Sequence, residues 1–362
     1  MSTIFLTGFP GFLGSRIVPR VLARRPDARV ACLVQPKYAA TARERVQELV
    51  AAVPAMAGRV VLVEGDLTAA DLGLVDRDSL AADITEIWHL AAVYDLAVPR
   101  EVGLRVNVDG TRHVLRLAQE CPRLERLHYV STCYVSGRWC GPFHETDLDM
   151  GQTFNNFYEE TKFLAELEVA SAREAGLPIT VYRPSIVVGD SHTGETQKFD
   201  GPYVMLQWLL RQRGLAVVPY VGDPTMVRFN TVPSDFVLDA ITHLSDLEAS
   251  AGLTYQLADP HPLTVDELLS EMCRSVGVRG LRVRLPHGLT TWALEHIGPL
   301  ERFLRIPASS VEYFVHPTHY DTTLASRDLA GSGVVCPRLP DYLPTLVSFL
   351  RDHAEADLGV MV

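Results

Sequence analysis

Residues 3–16 read TIFLTGFPGFLGSR, and the fold is decided there. An apolar run from Thr3 to Leu6 has the pattern of a strand buried on both faces. It breaks into a turn carrying Gly8, Gly11 and Gly14, and an amphipathic stretch, RIVPRVLARR, follows as a helix. Glycines between a strand and a helix permit a tight turn, close backbone approach to a pyrophosphate and close helix-to-strand packing. The ligand's charge then falls at the helix N-terminus. The spacing is GxxGxxG rather than GxGxxG, and Gly8, Phe9, Pro10, Gly11, Phe12, Leu13 and Gly14 are the expected phosphate loop. Pro19, in the second turn of the helix, removes a backbone donor and is expected to bend it.

Outward from this loop, short apolar runs alternate with amphipathic stretches. RVACLV precedes TARERVQELVAAV; RVVLVEGD and EIWHLAAV follow; VDGTRHVLRLAQEC precedes RLHYVST, and FYEETKFLAELEVASAREAG precedes PITVYRPSIVVG. Such alternation predicts an α/β fold with a doubly wound parallel sheet. After Gly189 the character changes to a polar loop and the apolar helix YVMLQWLLRQRG, before FNTVPSDFVLDAITHL returns to the main layer. Thr264 is the expected N-cap of a further helix. The expected division is a dinucleotide-binding domain over 1–189, rejoined by 229–258, with 190–228 and 259–362 forming a smaller, discontinuous substrate-binding region.

Composition narrows the function. The chain has 362 residues, and 33 Lys and Arg against 44 Asp and Glu give a net charge of −11. An acidic balance without a Lys/Arg run argues against nucleic acid as the main partner, because phosphate-backbone binding draws on clustered cations. Six scattered cysteines form no CxxC pair, so neither a disulfide framework nor a zinc ribbon is expected. His316 and His319 flank Pro317 and have no third ligand nearby in sequence, so no metal is expected. No signal peptide or transmembrane segment is expected, and the reducing cytoplasm is the default location.

Where the second strand ends, a carboxylate often receives the ribose 2′-hydroxyl of NAD. Gln35 stands there, with Arg16 and Lys37 close in sequence, which favours NADP(H) over NAD(H). Asp66, before Leu67, is expected to accept from the adenine amino group. The small residues after Leu90, Ala91 and Ala92, let a ribose lie against the backbone. Tyr158 and Lys162 lie four apart on a helical segment and so share one face. An ammonium beside a phenol stabilises phenolate and brings the group toward proton-transfer range. Thr132, at the C-terminal end of its strand, is where open α/β sheets bind ligands, and its hydroxyl is expected to hold a substrate carbonyl.

Glycine loop, strand-end Thr132 and the Tyr158/Lys162 pair, in that order, resemble the extended short-chain dehydrogenase/reductases, on a Rossmann-type fold. The resemblance covers almost the whole chain. TGFPGFLG, HLAAVYDL, HYVSTCYVSG, VYRPSIVVGDSHTGE and KFDGPY are more similar to the group of fatty acyl-CoA reductases and thioester reductase domains than to sugar epimerases. It implies Thr132, Tyr158 and Lys162 as the catalytic set, with Lys162 also on the nicotinamide ribose. Asn107, Pro184, Ser185 and Val187 are implied at the cofactor, and Tyr94, Cys133 and Tyr134 on the substrate side. Cys133 has no base beside it in sequence and reads as a small buried residue, not a nucleophile. Gln35 departs from the Arg often found in those reductases.

The implied activity is NADP(H)-dependent reduction of an acyl thioester, bound to CoA or to a carrier arriving in trans, or of a lipid-like aldehyde. Two alternatives stay open: a dehydrogenase/reductase of a ketone, secondary alcohol, sterol or nucleotide sugar, and a noncatalytic dinucleotide sensor. A homodimer also stays open. The stretch LPHGLTTWALEHIGPLERFLRI reads as a core or lid helix.

Overall fold

The computed structural model describes residues 2–286, 288 and 308–353. The chain order is β1 (Ser2–Thr7), α1 (Phe12–Arg24), β2 (Ala28–Val34), α2 (Ala39–Ala52), β3 (Val60–Glu64), α3 (Arg77–Asp83) and β4 (Ile84–His89). Then α4 (Arg100–Gly103) runs through a π-helical stretch at Leu104–Asp109 into α5 (Gly110–Glu120), β5 (Arg126–Val130), β6 (Gly141–Phe143) and α6 (Phe157–Glu174). The second half holds β7 (Ile179–Pro184), β8 (Ile186–Val188), α7 (Pro202–Leu210), β9 (Leu215–Tyr220), β10 (Arg228–Phe229), β11 (Thr231–Pro233) and α8 (Ser234–Asp246). It ends with β12 (Thr254–Leu257), β13 (Leu263–Thr264), α9 (Val265–Val276), β14 (Arg279–Arg284), β15 (Thr318–Tyr320), α10 (Thr323–Leu329) and α11 (Leu339–Asp352).

Seven parallel strands form one sheet in the order β12-β7-β5-β4-β1-β2-β3. The order reverses between β1 and β4, which is the topological switch point where such sheets bind ligands. The fold is the expected Rossmann-type doubly wound α/β architecture. Period-two alternation distributes each strand over two cores. Ile4, Leu6, Val30 and Cys32 pack with Ile17 and Val21 of α1 and Val237 and Ile241 of α8. Phe5, Ala31, Leu33 and Ile87 pack on the other face with Val114 and Leu117 of α5 and Val169 of α6. A third core joins α7, α9 and α11 through Leu206, Leu209, Leu268, Met272, Leu343 and Leu346.

Helix α1 runs on through Pro19 to Arg24. Thr264 caps α9 as expected, in a capping box in which its hydroxyl accepts from Glu267 N and the Glu267 carboxylate accepts from Thr264 N. The residues read as a core or lid helix, LPHGLTTWALEHIGPLERFLRI, lie almost wholly outside the described residues.

Candidate active site

The phosphate loop is built by exclusion of side chains. Gly8 has φ +97°, and a Cβ on it would sit 2.9 Å from Ala91 N; a Cβ on Gly14 would sit 2.2 Å from Gly8 O. The loop is closed by Gly11 N donating to Gly8 O at 2.9 Å and by Ser15 Oγ donating to Pro10 O at 2.8 Å. Gly11 caps α1 without any side-chain hydrogen bond, so the first helical N–H groups remain available to an anion. The loop therefore fits a pyrophosphate.

Beneath it runs a string of buried hydrogen bonds with a fixed polarity. Thr111 Oγ1 donates to Asn107 O at 2.6 Å, so its oxygen receives His89 Nε2 at 3.0 Å. His89 Nδ1 then accepts from Thr7 Oγ1 at 2.7 Å, and Thr7 Oγ1 accepts from Ala91 N at 3.2 Å. Burial, with Lys162 nearby, pushes His89 down to about 3, keeping the imidazole neutral. Asn107 Oδ1 accepts from Val93 N at 2.9 Å while its Nδ2 donates to Thr161 Oγ1 at 3.1 Å. This residue ties the loop after β4 to the helix that carries Tyr158 and Lys162.

The other residues expected at the cofactor fall as follows. Gln35 Nε2 donates to Asp66 Oδ1 at 3.0 Å, and Lys37 Nζ lies 4.7 Å from the centre of the Tyr38 ring. Burial alone would raise the Asp66 carboxyl; donors from Thr68 and Gln35, with Lys37 nearby, outweigh it and hold the group below the usual range. Leu67 packs against Gly110, where a Cβ would meet its Cγ at 2.6 Å. Arg16 is turned toward acids of the loop after β8, with Nη2 2.7 Å from Glu195 and Nη1 3.6 Å from Asp190. At the end of β7, Pro184 O accepts from Thr132 Oγ1 at 3.4 Å. Ser185 Oγ is buried with no hydrogen-bond partner among the described residues, a hydroxyl left for a ligand to satisfy. Val187 pairs with Val232 between β8 and β11.

Thr132 ends the approach of β5, and its Oγ1 accepts from Tyr134 N at 3.3 Å. Tyr158 and Lys162 lie on the first turns of α6, which Asn156 caps by accepting from Glu159 N at 3.0 Å. Both side chains are buried. Lys162 Nζ donates to Val130 O at 2.9 Å and to Tyr129 Oη at 3.2 Å. Burial pushes Lys162 down to about 8, against the pull of Glu166. Burial also pushes the Tyr158 phenol well above its ordinary range, while the Thr132 hydroxyl acts in the opposite sense. The lowering of the phenol by Lys162 that the sequence predicts is not seen: the ammonium is turned to Val130 O and Tyr129 Oη, and desolvation of the buried phenolate dominates.

On the substrate side, the Tyr94 ring stands edge-on to Tyr158 at 5.2 Å. Tyr134 meets Tyr313 at 4.7 Å and His316 at 5.2 Å, so the 312–320 segment covers it. Cys133 is wholly buried and its Sγ donates to Arg183 O at 2.9 Å, with burial pushing the thiol up. It faces the protein interior. Behind it lies a pair that no local sequence pattern announces: Arg183 donates through Nε at 2.9 Å and Nη2 at 2.6 Å to Glu166 Oε1, and Ser131 Oγ donates to Oε2. His316 Nε2 is hydrogen-bonded to Tyr320 Oη at 2.9 Å. No helix among the described residues is long and apolar enough to cross a membrane.

Comparison with known proteins gives a consistent picture. The male sterility protein family model, an NAD-binding domain, matches residues 6–241. A linear gramicidin synthase polypeptide of Brevibacillus parabrevis is 31% identical over 277 residues, 73% of this chain and 5% of that protein. Fatty acyl-CoA reductase 1 of Arabidopsis thaliana is 28% identical over 173 residues, 42% of this chain and 35% of the plant protein. The chain thus spans only a minor part of the length of either relative. The crystal structure of the terminal R domain from the myxalamid PKS-NRPS biosynthetic pathway superposes with a TM-score of 0.82 at 29% identity, covering 99% of this chain and 93% of that one.

Proposed function

Since the chain belongs to the male sterility protein family of NAD-binding domains, oxidoreductases of the extended short-chain dehydrogenase/reductase type, we propose that it is an NADP(H)-dependent reductase of an acyl thioester or lipid-like aldehyde. The observation that carries the reading is that α6 brings Tyr158 to the Thr132 hydroxyl and Lys162 to Val130 O at the end of β5, while Gly11 leaves the start of α1 without a side-chain cap. The likeness to a fatty acyl-CoA reductase and to a terminal R domain supports an acyl substrate, carried on CoA or on a carrier protein in trans.

In this reading residues 1–189 and 229–258 hold the cofactor, and 190–228 and 259–362 cover the substrate. Gly8 to Gly14 and the start of α1 hold the pyrophosphate, Ala91 and Ala92 carry a ribose, and Asp66 meets the adenine. Ser185 Oγ faces the nicotinamide end. A bound reduced dinucleotide supplies the hydride. Thr132 and Tyr158 hold the carbonyl oxygen, and Tyr158 Oη gives its proton to the oxygen as negative charge develops there. A phenol held above its ordinary range stays protonated at neutral pH, the state a donor needs. Lys162 stabilises the phenolate that remains and binds the ribose. From a thioester the product of this step is a hemithioacetal, whose collapse expels the thiol and leaves an aldehyde. A second reduction gives the alcohol.

The test is NADPH oxidation across a panel of acyl-CoAs, carrier-bound acyl groups, aldehydes and ketones, with free thiol measured in parallel. Thiol release matching NADPH loss supports the thioester reading. Turnover of ketones or secondary alcohols with none of acyl thioesters or aldehydes overturns it.

A further inference from the structure

Lys162 has three ammonium donors, and two of them are spent inside the protein, on Tyr129 Oη and Val130 O. Its Nζ also lies 4.7 Å from the centre of the Tyr129 ring. Tyr129 is buried in the interior of β5, where phenylalanine would fill the same space. A buried hydroxyl costs free energy unless it is hydrogen-bonded, so the phenol oxygen needs an explanation that packing does not give.

Its partners supply one. Besides Lys162, the hydroxyls of Thr111 and Ser131 act on the phenol, pulling it down against the rise that burial causes. Thr111 gives its proton to Asn107 O, and Ser131 gives its proton to Glu166. Both hydroxyl protons are thus committed away from the phenol. The donor that the phenol oxygen meets is the Lys162 ammonium, at 3.2 Å.

We propose that Tyr129 is a positioning residue for the reaction: its phenol oxygen, with the Glu166 carboxylate behind it through Ser131, holds Lys162 as an ammonium against the end of β5 with one donor left for the cofactor ribose. This rests on the reading of Lys162 as catalytic. Tyr129 from β5, His89 from β4 and Glu166 from α6 act on Lys162, with Tyr158 one turn earlier on α6 and Arg183 from β7 behind Glu166. His89 is neutral and both phenols are pushed up by burial. Lys162, at about 8, is the one of these that loses charge in mildly alkaline solution.

The proposal is tested by the pH dependence of kcat in the full chain, wild type against Tyr129→Phe, with NADPH binding followed by fluorescence at each pH. Activity falls as Lys162 loses its proton, and removing an acceptor makes that loss easier. The alkaline limb is therefore expected to move toward lower pH by about 0.5–1 unit, and the Kd for NADPH to rise about threefold, more at higher pH. A merely structural role would lower Tm and leave the limb in place. If Tyr129→Phe does not accumulate folded, Glu166→Gln carries the same readout, with a shift in the same direction. A limb within about 0.2 unit of wild type in the folded variant overturns the proposal. Lys162→Met separates the two levels: inactive Lys162→Met with an unmoved Tyr129→Phe limb removes only the role of Tyr129, and fully active Lys162→Met removes both.

Discussion

Gln35, just past the end of β2, donates its side-chain amide to the Asp66 carboxylate beyond β3 across 3.0 Å. The neutral residue that favours NADP(H) in the sequence therefore stands against a negative charge contributed by the next strand. The amide neutralises none of that charge; it orients it, together with Thr68 N and Oγ1, each 2.8 Å from the same oxygen. Replacing Gln35 with Arg adds a planar cation at this corner. The kcat/KM ratio of NADPH to NADH is expected to rise about tenfold, the worth of one charge-assisted contact to a 2′-phosphate. Steady-state kinetics with both cofactors measures it, and a ratio unchanged within about twofold would show the guanidinium captured by Asp66.

Tyr158→Phe removes the proposed proton donor and leaves the ring against Tyr94. Turnover is expected to fall by about 10²–10⁴-fold, the usual span for a general acid. The cofactor Kd should stay within about twofold of wild type, because the proposed pyrophosphate contacts lie on the glycine loop. Stopped-flow reduction and fluorescence titration separate the two quantities. Full activity in this variant sinks the mechanism.

How much of this was legible beforehand depends on sequence distance. The glycine turn, the alternating strands and helices, and the shared face of Tyr158 and Lys162 are local patterns, and the chain carries them openly. Tyr129, Glu166 and Arg183 were not legible as a unit. Arg183 and Glu166 are 17 residues apart, on β7 and α6, and only the crossover brings them together. Asp66 and Gln35 likewise meet across two strand ends. The seventh strand carries no clear pattern in the sequence because it is only four residues, TYQL, one of them the buried Gln256, whose side-chain amide donates to Phe143 O at 2.7 Å. Cys133 is turned inward by the same strand end that exposes Thr132 to the site, a distinction that alternation along β5 does not make once the strand has ended.

Stability should be sensitive to acid through a buried carboxylate at the opposite end of the sheet from the site. Burial would raise Glu86, but His128, Arg24 and Arg25 surround it and hold it well below the usual carboxylate range. Arg25 Nε donates at 2.7 Å and Trp88 Nε1 at 3.2 Å. A folded pKa below the unfolded one gives stability that is present above the unfolded value of 4.5 and is lost as pH falls below it. Burial pushes His128 from 6.5 down to about 4, so its contribution is also lost as pH falls through that interval. Tm is therefore expected to drop from pH 7 toward pH 4 and more steeply beyond. Glu86→Gln should cost about 3–5 kcal/mol at pH 7, the range for breaking a buried ion pair, and should flatten the acid part of the curve. Urea unfolding across pH checks both.

Gly14→Ala tests the phosphate loop by a purely steric route. Gly14 is not at positive φ, so alanine is not forbidden by its own backbone; the obstacle is that the new Cβ would lie 2.2 Å from Gly8 O and 2.7 Å from Gly8 C. Both obstacles are backbone atoms of the turn itself, so relief requires the turn to open, and the N–H groups proposed to face a pyrophosphate move with it. Overpacking of this kind costs about 1–3 kcal/mol, and NADPH affinity is expected to fall at least about tenfold because the loop rather than a flexible side chain is displaced. Gly176→Ala is the matched control. It sits at φ +104° with nothing within 4 Å of its added Cβ, so its cost is conformational and far from the loop. It should lower Tm and leave the cofactor Kd unchanged. If the two variants lose NADPH affinity equally, the loss follows global stability, and Gly8 to Gly14 do not form the pyrophosphate site.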